Sequence, residues 1–158
     1  MSKLKIGEYD FTYIETISPL SKDGQVVRLQ PQSRYKNVKN LDLHEYGSGD
    51  FCKFKLLNAK DSCGVYAWVI QGETRPIYIG ETSSFKKRFN MGYGNISPKN
   101  CFVGGQRTNC KMNKVVLQMY SENKKIDIYF FETKSYKTVE EDLLLSIETP
   151  YNVKNNRW

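Results

Sequence analysis

The run Gly64-Val65-Tyr66-Ala67-Trp68-Val69-Ile70, followed by Pro76-Ile77-Tyr78-Ile79-Gly80, decides the fold class of this chain. Each run is short, apolar and rich in β-branched and aromatic residues, as a buried strand requires. Gln71 to Arg75 lies between them and contains Gly72, so the chain turns and the two strands read as a hairpin. Because hairpin strands pair, the Tyr66 and Tyr78 hydroxyls can share one face.

Downstream, Ser83 or Ser84 is placed to cap a helix through about residue 91, and Gly92 stops it. A loop of Gly, Asn and Pro follows. Asn109 is placed to cap a second helix, about 111–122, in which Met112, Val115, Val116, Met119 and Tyr120 recur at helical spacing. Ile126-Asp127-Ile128-Tyr129-Phe130-Phe131 reads as a third strand, and Thr138 as the cap of a last helix that Pro150 ends near residue 149. Strand, strand, helix, helix, strand, helix is a small α/β domain of mixed type. Upstream, residues 1–62 read as irregular β structure: Phe11 to Ile17 has strand-forming types, Val26-Val27-Arg28-Leu29 follows a Lys22-Asp23-Gly24 turn, and Pro19, Pro31 and Tyr46-Gly47-Ser48-Gly49-Asp50 punctuate the rest. The expected division is an N-terminal extension, 1–62, and a core, 63–158.

The length of 158 residues suits one ordinary domain, and 39% hydrophobic with 13% aromatic residues is too rich for a disordered chain. No apolar run approaches the roughly 18 residues of a membrane span, so no membrane partner is expected. Met1-Ser2-Lys3-Leu4-Lys5-Ile6-Gly7 lacks the apolar region of a secretory signal, and a cytoplasmic protein with reduced thiols is expected. Cys52, Cys63, Cys101 and Cys110 form no C-x-x-C pair and His44 is the only histidine. That weighs against a zinc site, and against His-based nucleases and Ser-His hydrolase triads unless His44 is the sole base.

The net charge of +7 is concentrated. Between Glu81 and Glu122 there is no carboxylate but there are seven cations: Lys86, Lys87, Arg88, Lys99, Arg107, Lys111 and Lys114. The other 17 basic residues balance the 17 acidic ones. A second acid-free stretch, between Asp23 and Asp42, carries Arg28, Arg34, Lys36 and Lys39. Concentrated cationic surface is what a phosphate backbone selects for; a solvated face is the plainer alternative.

Five polar positions fall at structurally privileged points: Tyr66 and Tyr78 in the hairpin, Arg88 on the helix after it, Glu140 or Glu141 early in the last helix, and Asn152 just beyond that helix. With Gly64-Val65-Tyr66 and Tyr78-Ile79-Gly80 separated by eleven residues, Arg88, Val139-Glu140-Glu141-Asp142-Leu143-Leu144-Leu145 and Pro150-Tyr151-Asn152, the chain resembles the GIY-YIG nuclease superfamily over about residues 63–153. The resemblance implies a small three-stranded antiparallel sheet flanked by helices; residues 1–62, which it does not cover, read as an irregular β-rich extension. It implies a metal-dependent DNA endonuclease in which Glu140 holds Mg2+ or Mn2+, Arg88 clamps a phosphate oxygen, Tyr66 activates water, Tyr78 orients water or phosphate, and Asn152 fixes the helix end. The interval to Asn152 and the apolar Val139 before it favour Glu140, whereas counting back from Pro150 favours Glu141; on a helix the two point about 100° apart. Many members carry a histidine four residues after the arginine; here Gly92 stands there.

The amide-rich, basic stretch from Asn90 to Lys114 supplies candidates for DNA contact: Gln106, Arg107, Asn109, Lys111, Asn113 and Lys114, with Lys86 and Lys87 before it. Asn and Gln suit adenine edges, and Lys and Arg suit phosphates. Residues 25–60 form a possible second wall of a DNA groove, with Arg28, Arg34 and Lys36 as weaker candidates. A compact chain without a separate recognition domain fits a sequence-specific restriction or defence enzyme acting on double-stranded DNA, as a homodimer if the target is palindromic. The alternatives are a repair or structure-specific nuclease and a nucleic-acid-binding module without activity.

Overall fold

The expected hairpin sits in a sheet wider than the sequence suggested. The computed structural model describes residues 2–152. In chain order its strands are β1 (Lys3–Ile6), β2 (Tyr9–Thr16), β3 (Ser21–Lys22), β4 (Gln25–Val26), β5 (Gly64–Ile70), β6 (Pro76–Thr82) and β7 (Ile126–Glu132). Its α-helices are α1 (Phe85–Arg88), α2 (Arg107–Ser121) and α3 (Tyr136–Ser146). Five strands form one antiparallel sheet in the order β1-β2-β7-β5-β6, and β3 pairs only with β4. Mixed α+β architecture is as expected; a three-stranded sheet is not what forms. β2 extends the sheet by pairing with β7, Thr12 opposite Phe130, and β1 closes the far edge. Lys3-Leu4-Lys5-Ile6 buries only alternate residues, so its apolar signal is half that of a central strand.

The chain divides into two compact units: Met1–Thr16, Leu57–Lys86 and Lys125–Trp158 in one, Ile17–Leu56 and Lys87–Lys124 in the other. The division does not fall between residues 62 and 63, because β1 and β2 belong to the sheet.

In the first unit each sheet face has its own side chains. Val65, Ala67, Val69 and Ile79 join Ile6 and Phe11 on one face, where Val139 and Leu143 of α3 pack over them. Tyr66 and Trp68, on alternate positions of β5, point to the other, opposite Gly80 and Tyr78 of β6 and Phe130 and Ile128 of β7. Phe85 stacks on Phe130 there, ring centroids 4.1 Å apart. α3 ends at Ser146 rather than near 149, since Ile147 is already extended.

The second unit has little regular structure. α1 runs into a π-turn at Phe89–Tyr93, and 3-10 turns occupy Pro31–Arg34 and Pro98–Cys101. Its core gathers Phe51, Ile96, Cys101, Phe102 and Cys110. α2 begins at Arg107, before the expected start, so Asn109 lies inside the helix and does not cap it. No helix among the described residues is long and apolar enough to cross a membrane.

Candidate functional site

Tyr66 and Tyr78 share a sheet face, their ring centroids 6.4 Å apart, with Trp68 edge-on to Tyr78 at 6.1 Å. Tyr66 is 1% exposed and Tyr78 9%. Gly80, directly across the ladder from Tyr66, has a structural reason to lack a side chain: a Cβ there would run into the Tyr66 ring and hydroxyl. The glycine that closes the second motif therefore makes room for the tyrosine that closes the first.

β6 is the edge strand, and its outward backbone groups need partners. Asn152 supplies them at Ile79: the Ile79 N–H donates to Asn152 Oδ1 at 2.9 Å, and Asn152 Nδ2 donates to the Ile79 carbonyl at 2.8 Å. The Tyr151 N–H donates to the Ile77 carbonyl at 3.0 Å, and the buried Thr149 hydroxyl donates to Asn152 Oδ1. Asn152 thus fastens the segment after α3 to the strand that carries Tyr78.

Glu140 follows Val139 on α3 and is half-buried, on the flank it shares with Tyr136 and Leu144, which pack against the core. Glu141 is exposed. Burial thus separates the two carboxylates as the helical 100° step requires. α3 covers the face opposite the tyrosines, so the sheet lies between Glu140's helix and the phenol pair.

Arg88, in the second unit, is half-buried. Its guanidinium lies 3.9 Å from the Tyr93 ring centroid and donates from Nη1 to Asn109 Oδ1. Gly92 lies beside this contact. A Cβ at position 92 would sit 2.9 Å from Arg88 Nη1 and 3.4 Å from Asn109 Oδ1.

The candidates for DNA contact separate by burial. Lys86, Lys87, Gln106 and Arg107 are exposed. Arg107 pairs with Glu45 and lies 5.7 Å from the Tyr46 ring. Lys111 is half-buried, and desolvation holds its ammonium below the usual lysine range. Lys114 is likewise lowered by burial; it donates to the Asp50 carbonyl at 3.1 Å and lies 4.0 Å from the Phe51 ring centroid. Asn109 and Asn113, expected at the DNA surface, are interior. Asn109 receives Arg88. Asn113 is 0% exposed and uses its whole amide internally: it accepts from the Cys52 N–H at 3.0 Å and donates to the Cys52 and Tyr93 carbonyls, both at 2.8 Å.

His44 is buried too. Its Nδ1 accepts the Tyr46 N–H at 3.1 Å and its Nε2 bonds the Asn100 carbonyl, which fixes the neutral tautomer with the proton on Nε2. That leaves neither ring nitrogen to act as a base. The four cysteines are free thiols, and among the described residues no three His, Cys, Asp or Glu side chains cluster as a metal site. Compared with family models, with curated proteins and with solved structures, the chain matches none.

Proposed function

We propose that this chain is a metal-dependent DNA endonuclease, of the sequence-specific restriction or defence kind, acting on double-stranded DNA. The observation that supports it most is the shared-face pair of Tyr66 and Tyr78, with Gly80 cleared to admit the Tyr66 ring and Asn152 clasped to the same edge strand. Packing alone accounts for one buried tyrosine in a strand. Packing also explains the glycine opposite it, whose space the Tyr66 ring fills, so the support lies in the second phenol, Tyr78, beside it on the same face.

Hydrolysis of a phosphodiester needs a deprotonated water in line with the leaving oxygen and charge stabilisation at the phosphate. Tyr66 Oη takes the proton from water, and Tyr78 orients that water or the phosphate. A free phenol has a pKa near 10, so neighbouring positive charge must favour the phenolate. Arg88, its guanidinium 3.9 Å from the Tyr93 ring centroid, meets a non-bridging phosphate oxygen. A hard divalent ion would be held by the Glu140 carboxylate with water and phosphate oxygens; since α3 lies on the sheet face opposite the phenols, the phosphate would have to reach both around the edge of the sheet. Bound there, Mg2+ or Mn2+ supplies charge neutralisation at the phosphate.

Incubation with supercoiled plasmid, with Mg2+ and with Mg2+ plus chelator, tests the reading. Nicked or linear product in the first alone is expected, and sequencing of the cut ends then gives the recognition site. No cleavage at any ionic strength, with DNA still bound, leaves a binding module in its place.

A further inference from the structure

The second unit contains a cavity of about 590 Å³ whose lining includes Arg28, Arg34 and Lys53. Its charge is one-sided: three lining residues are cationic and none is acidic. Two of the three, Arg34 and Lys53, have no ion-pair partner among the described residues. The third is held in place: Asp50, outside the lining, receives Arg28 Nη1 at 3.4 Å and Gln30 Nε2 at 3.0 Å, so one carboxylate fixes two lining side chains. These bonds also keep Asp50 charged, its carboxyl lying below the usual range chiefly through Gln30 and then Arg28. The backbone is fixed as well, since Leu29 and Phe51 exchange both of their backbone hydrogen bonds at 2.8 Å.

The remaining lining is of two kinds. Leu29, Pro31, Phe51, Cys52 and Ile96 are apolar, and Gln30, Ser33 and Asn95 carry neutral donors and acceptors. Cations that lack partners call for an anion. Apolar walls with a few amides call for a flat, polar-edged group beside it. The volume is within the range of small-molecule sites.

We propose that this cavity binds one nucleotide, its phosphate between Arg34 and Lys53 with Arg28 beside them, and its base against Leu29 and Ile96 within reach of Gln30 and Asn95. The nucleotide is either free or one unit of a single strand; the chemistry recognised is the same. The site uses none of the residues assigned to cleavage and stands whether or not the chain cuts DNA.

Calorimetric titration of the full chain with the four 5′-deoxynucleoside monophosphates, inorganic phosphate and a single-stranded tetranucleotide tests it. A nucleotide is expected to bind saturably and at least about tenfold more tightly than inorganic phosphate, since a hydrogen-bonded or stacked base contributes of that order. Arg34→Ala with Lys53→Ala is expected to weaken nucleotide binding by about a hundredfold, one decade for each charge-assisted contact. Lys39→Ala, an exposed cation of the same segment outside the lining, is expected to leave binding unchanged. If the tetranucleotide binds more tightly and the mononucleotide displaces it, the ligand is a strand; if it fails to compete, the ligand is the free nucleotide. Equal affinity for phosphate and nucleotides, no saturation at millimolar ligand, or undiminished binding by an Arg34→Ala/Lys53→Ala protein that melts like the parent overturns the proposal.

Discussion

Tyr66 and Gly80 face each other across β5 and β6, and the tyrosine ring occupies the volume that a side chain on Gly80 would fill. Two residues fourteen apart in sequence thus form one packing unit. Gly80→Ala is expected to destabilise the fold by about 1–3 kcal/mol, as overpacking of a tight core does. The cause is checked by a double-mutant cycle: in a Tyr66→Ala background the same change should cost much less. Equal cost in both backgrounds would mean that Gly80 is needed for its backbone and not for the ring.

Removing only the phenolic oxygen separates packing from chemistry. Tyr66→Phe keeps the ring over Gly80 and is expected to leave the melting temperature within a few degrees, while plasmid cleavage falls by about 10²–10⁴-fold, the usual contribution of a positioned acid or base. A Tyr66→Phe protein that cuts like the parent removes the phenol from the mechanism.

The two adjacent carboxylates of α3 differ in burial, and this makes them separable. Glu140→Ala is expected to abolish metal-dependent cleavage while DNA retention in a gel-shift assay is kept. Glu141→Ala, on the exposed side of the helix, is expected to cut normally. The reverse pattern would transfer the metal-binding role to Glu141.

Asn152 completes the edge of β6 at Ile79 through one donor and one acceptor. Asn152→Leu removes both and leaves Ile79 unsatisfied, which is expected to cost about 1–3 kcal/mol. Asn152→Asp keeps the acceptor alone and should fall between the two in chemical denaturation. An unchanged midpoint for Asn152→Leu would show that the clasp contributes nothing to the sheet edge.

Burial pushes the Cys52 thiol up to about 12 from an ordinary value of 9.0. The folded protein therefore holds this proton more tightly than the unfolded chain does. The resulting stability is present in full below about pH 9 and is lost as the pH rises through 9 towards 12. Cys52→Ala should lessen the alkaline fall in the denaturation midpoint relative to the parent protein. Identical pH profiles for the two would exclude the thiol as its source.

The sequence by itself determined the hairpin. An uninterrupted apolar strand has only one place to go, and β5 and β6 lie where Gly64-Val65-Tyr66 and Tyr78-Ile79-Gly80 put them. That the two phenols can share a face was legible as well, but that they do is set by the hairpin register, in which Tyr66 stands opposite Gly80 and Trp68 opposite Tyr78. Tertiary structure alone decided the fate of the amides. Asn113 reads as a DNA-contact candidate, Asn152 as the residue that fixes a helix end and Asn90 as the start of the same amide-rich stretch as Asn113, yet each clasps the backbone N–H and C=O of one residue: Cys52, Ile79 and Leu56 respectively. Segments with little regular structure, and the free edge of a sheet, leave backbone groups without ladder partners, and buried backbone must be satisfied. An asparagine that serves this purpose has the same spelling as one that reads a base. Its role is set by which distant strand or turn lies against it, and that is information no local pattern holds.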